Sequence, residues 1–291
     1  MHGELPILCR HTSAAVALET AFLTSGLPGH ARLEAVERIA AAVHSRGLEP
    51  AFIGVVAGQP TVGLQSDELK RLAEQGRKLS TRDLPAAVAR GEQGGTTVAA
   101  TIFLAHRASL SVVSTGGIGG VHATSGGLDV SADLYELGRT PIMLVCSGAK
   151  AIVDLPATLE RLETLGVTVV GFQTAEFPAF YSAESGLTID LVAESAEEVI
   201  EMWRAARELE TPGAMLVCVP PPSDVALSRK DTEAAVSRAL SDLDMAGISG
   251  PAVTPYLLDR IAHHTDGRSL AANLGLLENN AAVAAEIAKL V

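Results

Sequence analysis

The feature that most constrains this chain is a regular alternation. Short apolar runs rich in Val, Ile and Leu, bounded by Gly or Pro, take turns with longer segments of helical period. Residues 16–23, 51–57, 110–114, 141–147, 167–172 and 214–219 read as buried strands. Between them, residues 32–47 place Leu33, Val36, Ile39, Ala40 and Val43 on one face, and Gly47 closes the segment. Ser66 caps a helix running to Gly76, and residues 96–108 are apolar nearly all round, as a buried helix would be. Residues 154–166 start on an Asp cap with Pro156 in the first turn and end on Gly, and Ser195 with Glu198 forms a capping box. Thr254–Pro255 marks a last cap. The alternation predicts a three-layer α/β/α fold with a mixed, largely parallel sheet, built as one domain over residues 1–291.

Charge narrows what such a fold can bind. The formal net charge is -12 and no basic stripe is visible, which argues against nucleic acid. An acidic protein that binds phosphate must do so locally, with a lysine, backbone amides or a metal. Three cysteines without paired spacing, a short polar N-terminus and no long apolar run predict a cytoplasmic protein with no membrane partner.

Four places carry possible chemistry. Thr115-Gly-Gly-Ile-Gly-Gly-Val-His122 follows a strand, where ligands of open α/β sheets sit; its glycines suggest close approach to a ligand, against the plainer reading of a tight turn. Asp129-Val-Ser-Ala-Asp133 has acids four residues apart, as oxygen ligands for a divalent cation or, more simply, as a helix N-terminus capped by Ser131 or Asp129. Lys150 is one of only five lysines; it follows the strand at residues 142–146 in apolar surroundings, where burial would free its amine as a nucleophile. A lysine snorkelling from a strand end is the equal alternative. Lys78 is a second lysine outside the charged helices, placed to neutralise a phosphate. Glu19 lies inside an apolar run; buried there, its pKa would rise toward that of a general acid or base, whereas on an edge strand it would face solvent.

Taken in order, these motifs resemble the pseudouridine-5'-phosphate glycosidase family, also called the indigoidine synthase A-like family. The likeness runs through Ala17-Leu-Glu19, Lys78-Leu-Ser80, Gly95-Thr-Thr-Val-Ala99, Thr115–His122, Asp129–Leu134, Val145–Lys150 and Ser269-Leu-Ala-Ala-Asn273 with Asn279-Asn280. The resemblance implies that Lys150 attacks C1 of a ring-opened ribose to form an iminium while Glu19 moves protons. It implies that Asp129 holds a divalent metal, Mn²⁺ in the family, mostly through water. Lys78, Thr97, Val98, Thr115, His122, Ser131, Ala132 and Asp133 would bind the sugar phosphate and base, and Asn273 would hydrogen-bond the base. Ribose 5-phosphate and a ring aglycone are the implied partners, and a homotrimer the implied assembly.

The chain also departs from the family pattern. Ser25 stands where His is usual, the hydroxyl pair after Glu19 is shifted, Ala123-Thr-Ser-Gly-Gly127 replaces an Arg-Gly-Ala loop, and Thr81 replaces Arg. Retained C1 chemistry with altered surroundings suggests a changed aglycone. The expectation is therefore a C-glycosynthase joining ribose 5-phosphate to a non-uracil ring in antibiotic biosynthesis. The housekeeping glycosidase is the close alternative, and a non-catalytic sugar-phosphate-binding protein the alternative of another class.

Overall fold

The computed structural model describes residues 7–11, 15–124, 127–248 and 253–291. Among the described residues eleven strands form one sheet. Its central part is wholly parallel, in the spatial order Glu49–Val56, Ala15–Leu18, Val112–Ser114, Met143–Cys146, Met215–Cys218, Thr168–Phe172 and Leu191–Ala193. Beyond Glu49–Val56 the chain turns back antiparallel as Gln59–Val62 through Ala57 and Gly58, both at positive φ, which the tight turn of a twisted hairpin requires. Leu8–Cys9 pairs with Gln59–Val62, and Gly94–Thr96 pairs with Glu49–Val56 and Arg77–Leu79. The sheet is thus mixed and largely parallel, as expected.

Period-two alternation divides the core into two layers, one on each face of the sheet. Val16, Leu18, Met143, Val145, Met215 and Val217 pack on one face with helices Gly29–His44, Ala196–Glu208 and Arg268–Ala288. Ala17, Leu144, Cys146, Leu216 and Cys218 pack on the other with Val98–Arg107, Ala132–Leu137 and Leu155–Thr164. Two neighbouring strands carry the same tetrapeptide, Met-Leu-Val-Cys, and pair in register from Met143 beside Met215 to Cys146 beside Cys218. Among the described residues no helix is long and apolar enough to cross a membrane.

Several expected boundaries shift. The strand expected at residues 16–23 stops at Leu18. Gly94–Thr96 takes its place beside Glu49–Val56, and the Thr20 carbonyl lies 2.4 Å from where a Cβ on Gly95 would be. The chain therefore peels away at Glu19 into a π-helical turn, Phe22–Gly26. Glu19 ends a strand rather than sitting inside one. The helix expected from Thr96 begins at Val98, because Thr96 ends a strand and Thr97 is the cap. The cap expected at Ser66 is Gln65, which shares a capping box with Glu68. Asp154 and Ser195 cap as expected, accepting from the amides of Ala157 and Glu198. The side chain of Thr254 lies outside the described residues, as do Ser125 and Gly126 in the loop after His122.

Candidate active site

Ala15–Leu18 leads through Gly29–His44 to the strand on one side of it, whereas Val112–Ser114 leads to the strand on its opposite side. Two adjacent parallel strands whose connections diverge leave a crevice at their carboxyl ends, where α/β proteins bind ligands. Glu19 and Thr115 are the first residues past these two ends. The Thr115 hydroxyl donates a short hydrogen bond to the Glu19 carboxylate. Burial raises the Glu19 pKa above the usual carboxylate range, and the Lys150 charge and the Thr115 hydroxyl offset part of that rise.

The next strand, Met143–Cys146, exits through residues 147–150. Gly148 has φ 69°, and a Cβ there would lie 1.9 Å from the Pro178 carbonyl oxygen, so no other residue fits. Its turn lets this loop zip onto the glycine loop: Ile118 N–H donates to Gly148 O at 3.0 Å, and Lys150 N–H to Ile118 O at 3.0 Å. Lys150 is half-buried rather than enclosed. Its charge acts on Glu19, Lys78 and His122, so it stands among the titratable groups of the crevice. Lys78 sits on Arg77–Leu79 and reaches solvent. Lost hydration lowers its pKa, Lys150 lowers it further, and Asp133 and Glu19 oppose this.

His122 and Asp129 face each other across a small antiparallel hairpin, Val121–Thr124 with Gly127–Val130. Directly opposed residues of such a pair project from the same side. Burial lowers the His122 pKa despite the nearby Asp129, so its ring is neutral at neutral pH. Asp129 is exposed. Among the described residues no three ligating side chains cluster as a metal cage. One exposed carboxylate beside a neutral imidazole instead fits a cation that keeps most of its water.

Other candidates take structural places. Asp133 is buried, and its carboxylate accepts from Ala99 N–H and Gly119 N–H, both at 2.9 Å. It staples the glycine loop to the start of helix Val98–Arg107. Ser131 caps the helix that holds Asp133, as the simpler sequence reading has it, and its own N–H donates to Gly120 O at 3.0 Å. Thr97 caps Val98–Arg107; Val98 is buried and Ala132 exposed. Asn273 is buried on Arg268–Ala288. The glycines of the loop answer to packing: added Cβ atoms would lie 2.6 Å from Phe180 at Gly117, 2.4 Å from Ser131 at Gly119 and 2.3 Å from Thr158 at Gly120. Close approach by protein is required at these three glycines.

Sequence reasoning misses two buried polar networks. Thr20, Thr96 and Thr101 link hydroxyls with the Ile53 carbonyl beneath Glu19. Asn280, fully buried, joins the two active-site loops. An asparagine within the apolar helix is a signal for the second, since buried polar groups need partners.

Fold and crevice together place the chain among α/β proteins that gather a lysine and a carboxylate at a sheet switch point. Residues 7–290 match the family of indigoidine synthase A-like proteins, and the chain belongs to that family. A pseudouridine-5'-phosphate glycosidase of Chloroflexus aurantiacus is 53% identical over 282 residues, covering 94% of this chain and 92% of that protein. One of Gemmatimonas aurantiaca is 49% identical over 278 residues, covering 95% and 90%. Among solved structures, an indigoidine synthase A-like protein of Thermotoga maritima superposes with a TM-score of 0.92 at 38% identity, covering 100% and 98% of the two chains. The prealnumycin C-glycosynthase AlnA, in complex with ribulose 5-phosphate, gives 0.85 at 36%, covering 94% and 90%. The order expected from the loop departures is thereby reversed: glycosidases are nearer in sequence than the synthase.

Proposed function

We propose that the chain is a pseudouridine-5'-phosphate glycosidase, which exchanges uracil and ribose 5-phosphate for pseudouridine 5'-phosphate and water. The carrying observation is the placement of Lys150 within electrostatic reach of a Glu19 whose pKa burial raises, at the crevice between diverging strands. The two relatives at 53% and 49% identity are glycosidases of this kind.

The bond between C1 and the base carbon has no heteroatom to accept its electrons, so an electron sink must be made. The Lys150 amine bonds C1 as the C1–ring oxygen bond breaks, and protonated Glu19 gives that oxygen a proton. The resulting carboxylate takes a proton back from the new ammonium. The nitrogen lone pair then forms C1=N⁺ while the carbon–carbon electrons leave to the base, where Glu19 returns the proton. Water hydrolyses the iminium, which frees ribose 5-phosphate and Lys150 and returns a proton to the Glu19 carboxylate, restoring its acid form. A carboxyl group that gives, takes and gives again works best with a pKa raised toward neutrality. Lys78 is placed to offset the substrate's phosphate charge. A divalent ion, taken as Mn²⁺, would be held by Asp129 mostly through water and would offset negative charge when bound; with the homotrimeric assembly, it belongs to this proposal on family resemblance.

The test is release of uracil from pseudouridine 5'-phosphate, together with mass spectrometry after borohydride reduction in ribose 5-phosphate. Uracil release and a pentose-phosphate adduct on Lys150 are expected. No release and no adduct would reject the reading and leave a sugar-phosphate binder. The likeness to AlnA supports a second reading, transfer of the pentose phosphate to another ring. Faster product formation with an aromatic acceptor than with uracil would select it.

A further inference from the structure

The proposed reaction needs the Lys150 amine and the Glu19 carboxyl to keep one separation while C1 passes between them. The two groups stand on different loops, so something must fix one loop against the other. Lys150 ends the loop that begins at Ser147; Glu19 is held by Thr115, which begins the glycine loop. The Asn280 side chain touches the start of both. Its amide donates to Thr115 O at 2.9 Å and Gly116 O at 3.3 Å, and its carbonyl accepts from the Ser147 hydroxyl at 3.2 Å. Asn280 and Ser147 are both fully buried, so water cannot replace a lost partner. The position demands a residue that donates twice and accepts once, which an amide satisfies and a carboxylate or an aliphatic side chain does not.

Resting on the function proposed above, we infer that Asn280 is a positioning residue. Together with the backbone hydrogen bonds between the two loops, it sets the distance between nucleophile and proton carrier without touching substrate. The helix that carries it, Arg268–Ala288, packs against the strands from which Glu19, Thr115 and Lys150 emerge. That helix is a rigid ruler laid across both loops. Asn279, next along it, lies 3.5 Å from the Pro220 carbonyl.

The experiment measures kcat and KM on pseudouridine 5'-phosphate, and the rate of borohydride trapping, for Asn280→Ala, Asn280→Asp, Ser147→Ala and Asn279→Ala, with melting followed in parallel. A misplacement of about 1 Å costs on the order of 100-fold in rate, so Asn280→Ala should lose about that in kcat and in trapping rate, with KM within about threefold. Ser147→Ala, a milder change that removes a single oxygen, should lose about fivefold in kcat, the worth of one hydrogen bond. The double variant should be no worse than Asn280→Ala alone, because both act through one clamp. Asn280→Asp should regain activity relative to Asn280→Ala as pH falls, since a protonated carboxyl can donate again. Asn279→Ala should stay within about twofold of wild type. Unchanged kcat in Ser147→Ala and Asn280→Ala, or losses explained wholly by unfolded protein, would overturn the inference. Should Asn280→Ala not fold, unchanged kcat in Ser147→Ala alone overturns it. Absence of turnover in the wild-type protein is the separate failure, that of the proposed function.

Discussion

Two parts of the crevice are built on opposite principles. Its floor, residues 115–120 and 147–150, is interlocked by backbone hydrogen bonds of 2.8–3.0 Å and packed so closely that Gly117, Gly119, Gly120 and Gly148 have no room for a methyl group. Its wall, the hairpin carrying His122 and Asp129, is two four-residue strands ending in the exposed Asp129 and Val130. The groups that would make and break bonds stand on or beside the floor; the group that would hold a metal stands on the wall. Covalent chemistry tolerates little displacement, whereas an ion that keeps its water does not need a rigid cradle.

That contrast can be broken or sharpened by substitution. The largest effect should come from Lys150→Ala: kcat falls by at least about 10⁴-fold and the trapped adduct vanishes, with melting unchanged. Turnover within tenfold of wild type would remove the covalent step. Glu19→Gln should cost about 10²–10³-fold. Because burial raises the Glu19 pKa, the protonated Glu19 that starts the reaction persists to higher pH than an ordinary carboxyl would, and the limb on which the wild-type rate falls as pH rises through the Glu19 pKa should be absent in Glu19→Gln. The same shift bears on stability. A carboxyl whose pKa is higher folded than unfolded favours the folded state when protonated, and that contribution is lost as pH rises through the folded pKa. Glu19→Gln should therefore melt above wild type at pH 7.5 and match it near pH 4; equal melting at both would show that the crevice does not strain the carboxylate.

Asp129→Ala, on the wall, should lower the rate by about tenfold, the lower range for losing one outer contact to a bound ion. Chelation should then have no further effect, and melting should not move. Activity indifferent to chelation in wild type would dismiss the metal. On the floor, Gly120→Ala should change the rate least at low temperature but destabilise by about 2 kcal/mol, the usual cost of overpacking. The Thr158 hydroxyl it displaces also accepts from Val121 N–H at 3.0 Å. A melting temperature equal to wild type would show the floor to be looser than its contacts imply.

Much of this is legible in the sequence, for reasons that differ by region. The central strands are readable because both faces are covered, which makes them continuous apolar runs. The outer strands Arg77–Leu79 and Gly94–Thr96 are not, because three residues with glycine and charge carry no period. Lys150 and Glu19 stand out as charges among apolar neighbours, but the end of the strand at Leu18 depends on Gly94–Thr96 arriving from 76 residues away, which local pattern cannot show. The glycine loop is conspicuous in the sequence, yet the protein neighbours that require its glycines, Phe180, Ser131 and Thr158, are hidden there. Asn280 is visible as part of a motif but has no role in sequence, because its three partners lie more than 130 residues away along the chain.

The twin tetrapeptides at the centre of the sheet have a consequence for how the chain finds its fold. Met143–Cys146 and Met215–Cys218 are interchangeable as core: each could fill the other's slot with every side chain on the correct face. Nothing within the four residues tells the two slots apart, so the distinction rests on the segments immediately downstream. One run exits through Ser-Gly-Ala into the lysine; the other exits through Val219 into three consecutive prolines, which cannot donate ladder hydrogen bonds. The proline exit would fail in the first slot: it would bring Val219, which still has an N–H, to position 147, but Pro222 to position 150, whose N–H donates to Ile118 O. The residues after the strand thus act as an address label on two otherwise identical parcels, and a swap of Ser147-Gly-Ala-Lys150 for prolines would erase the label along with the lysine.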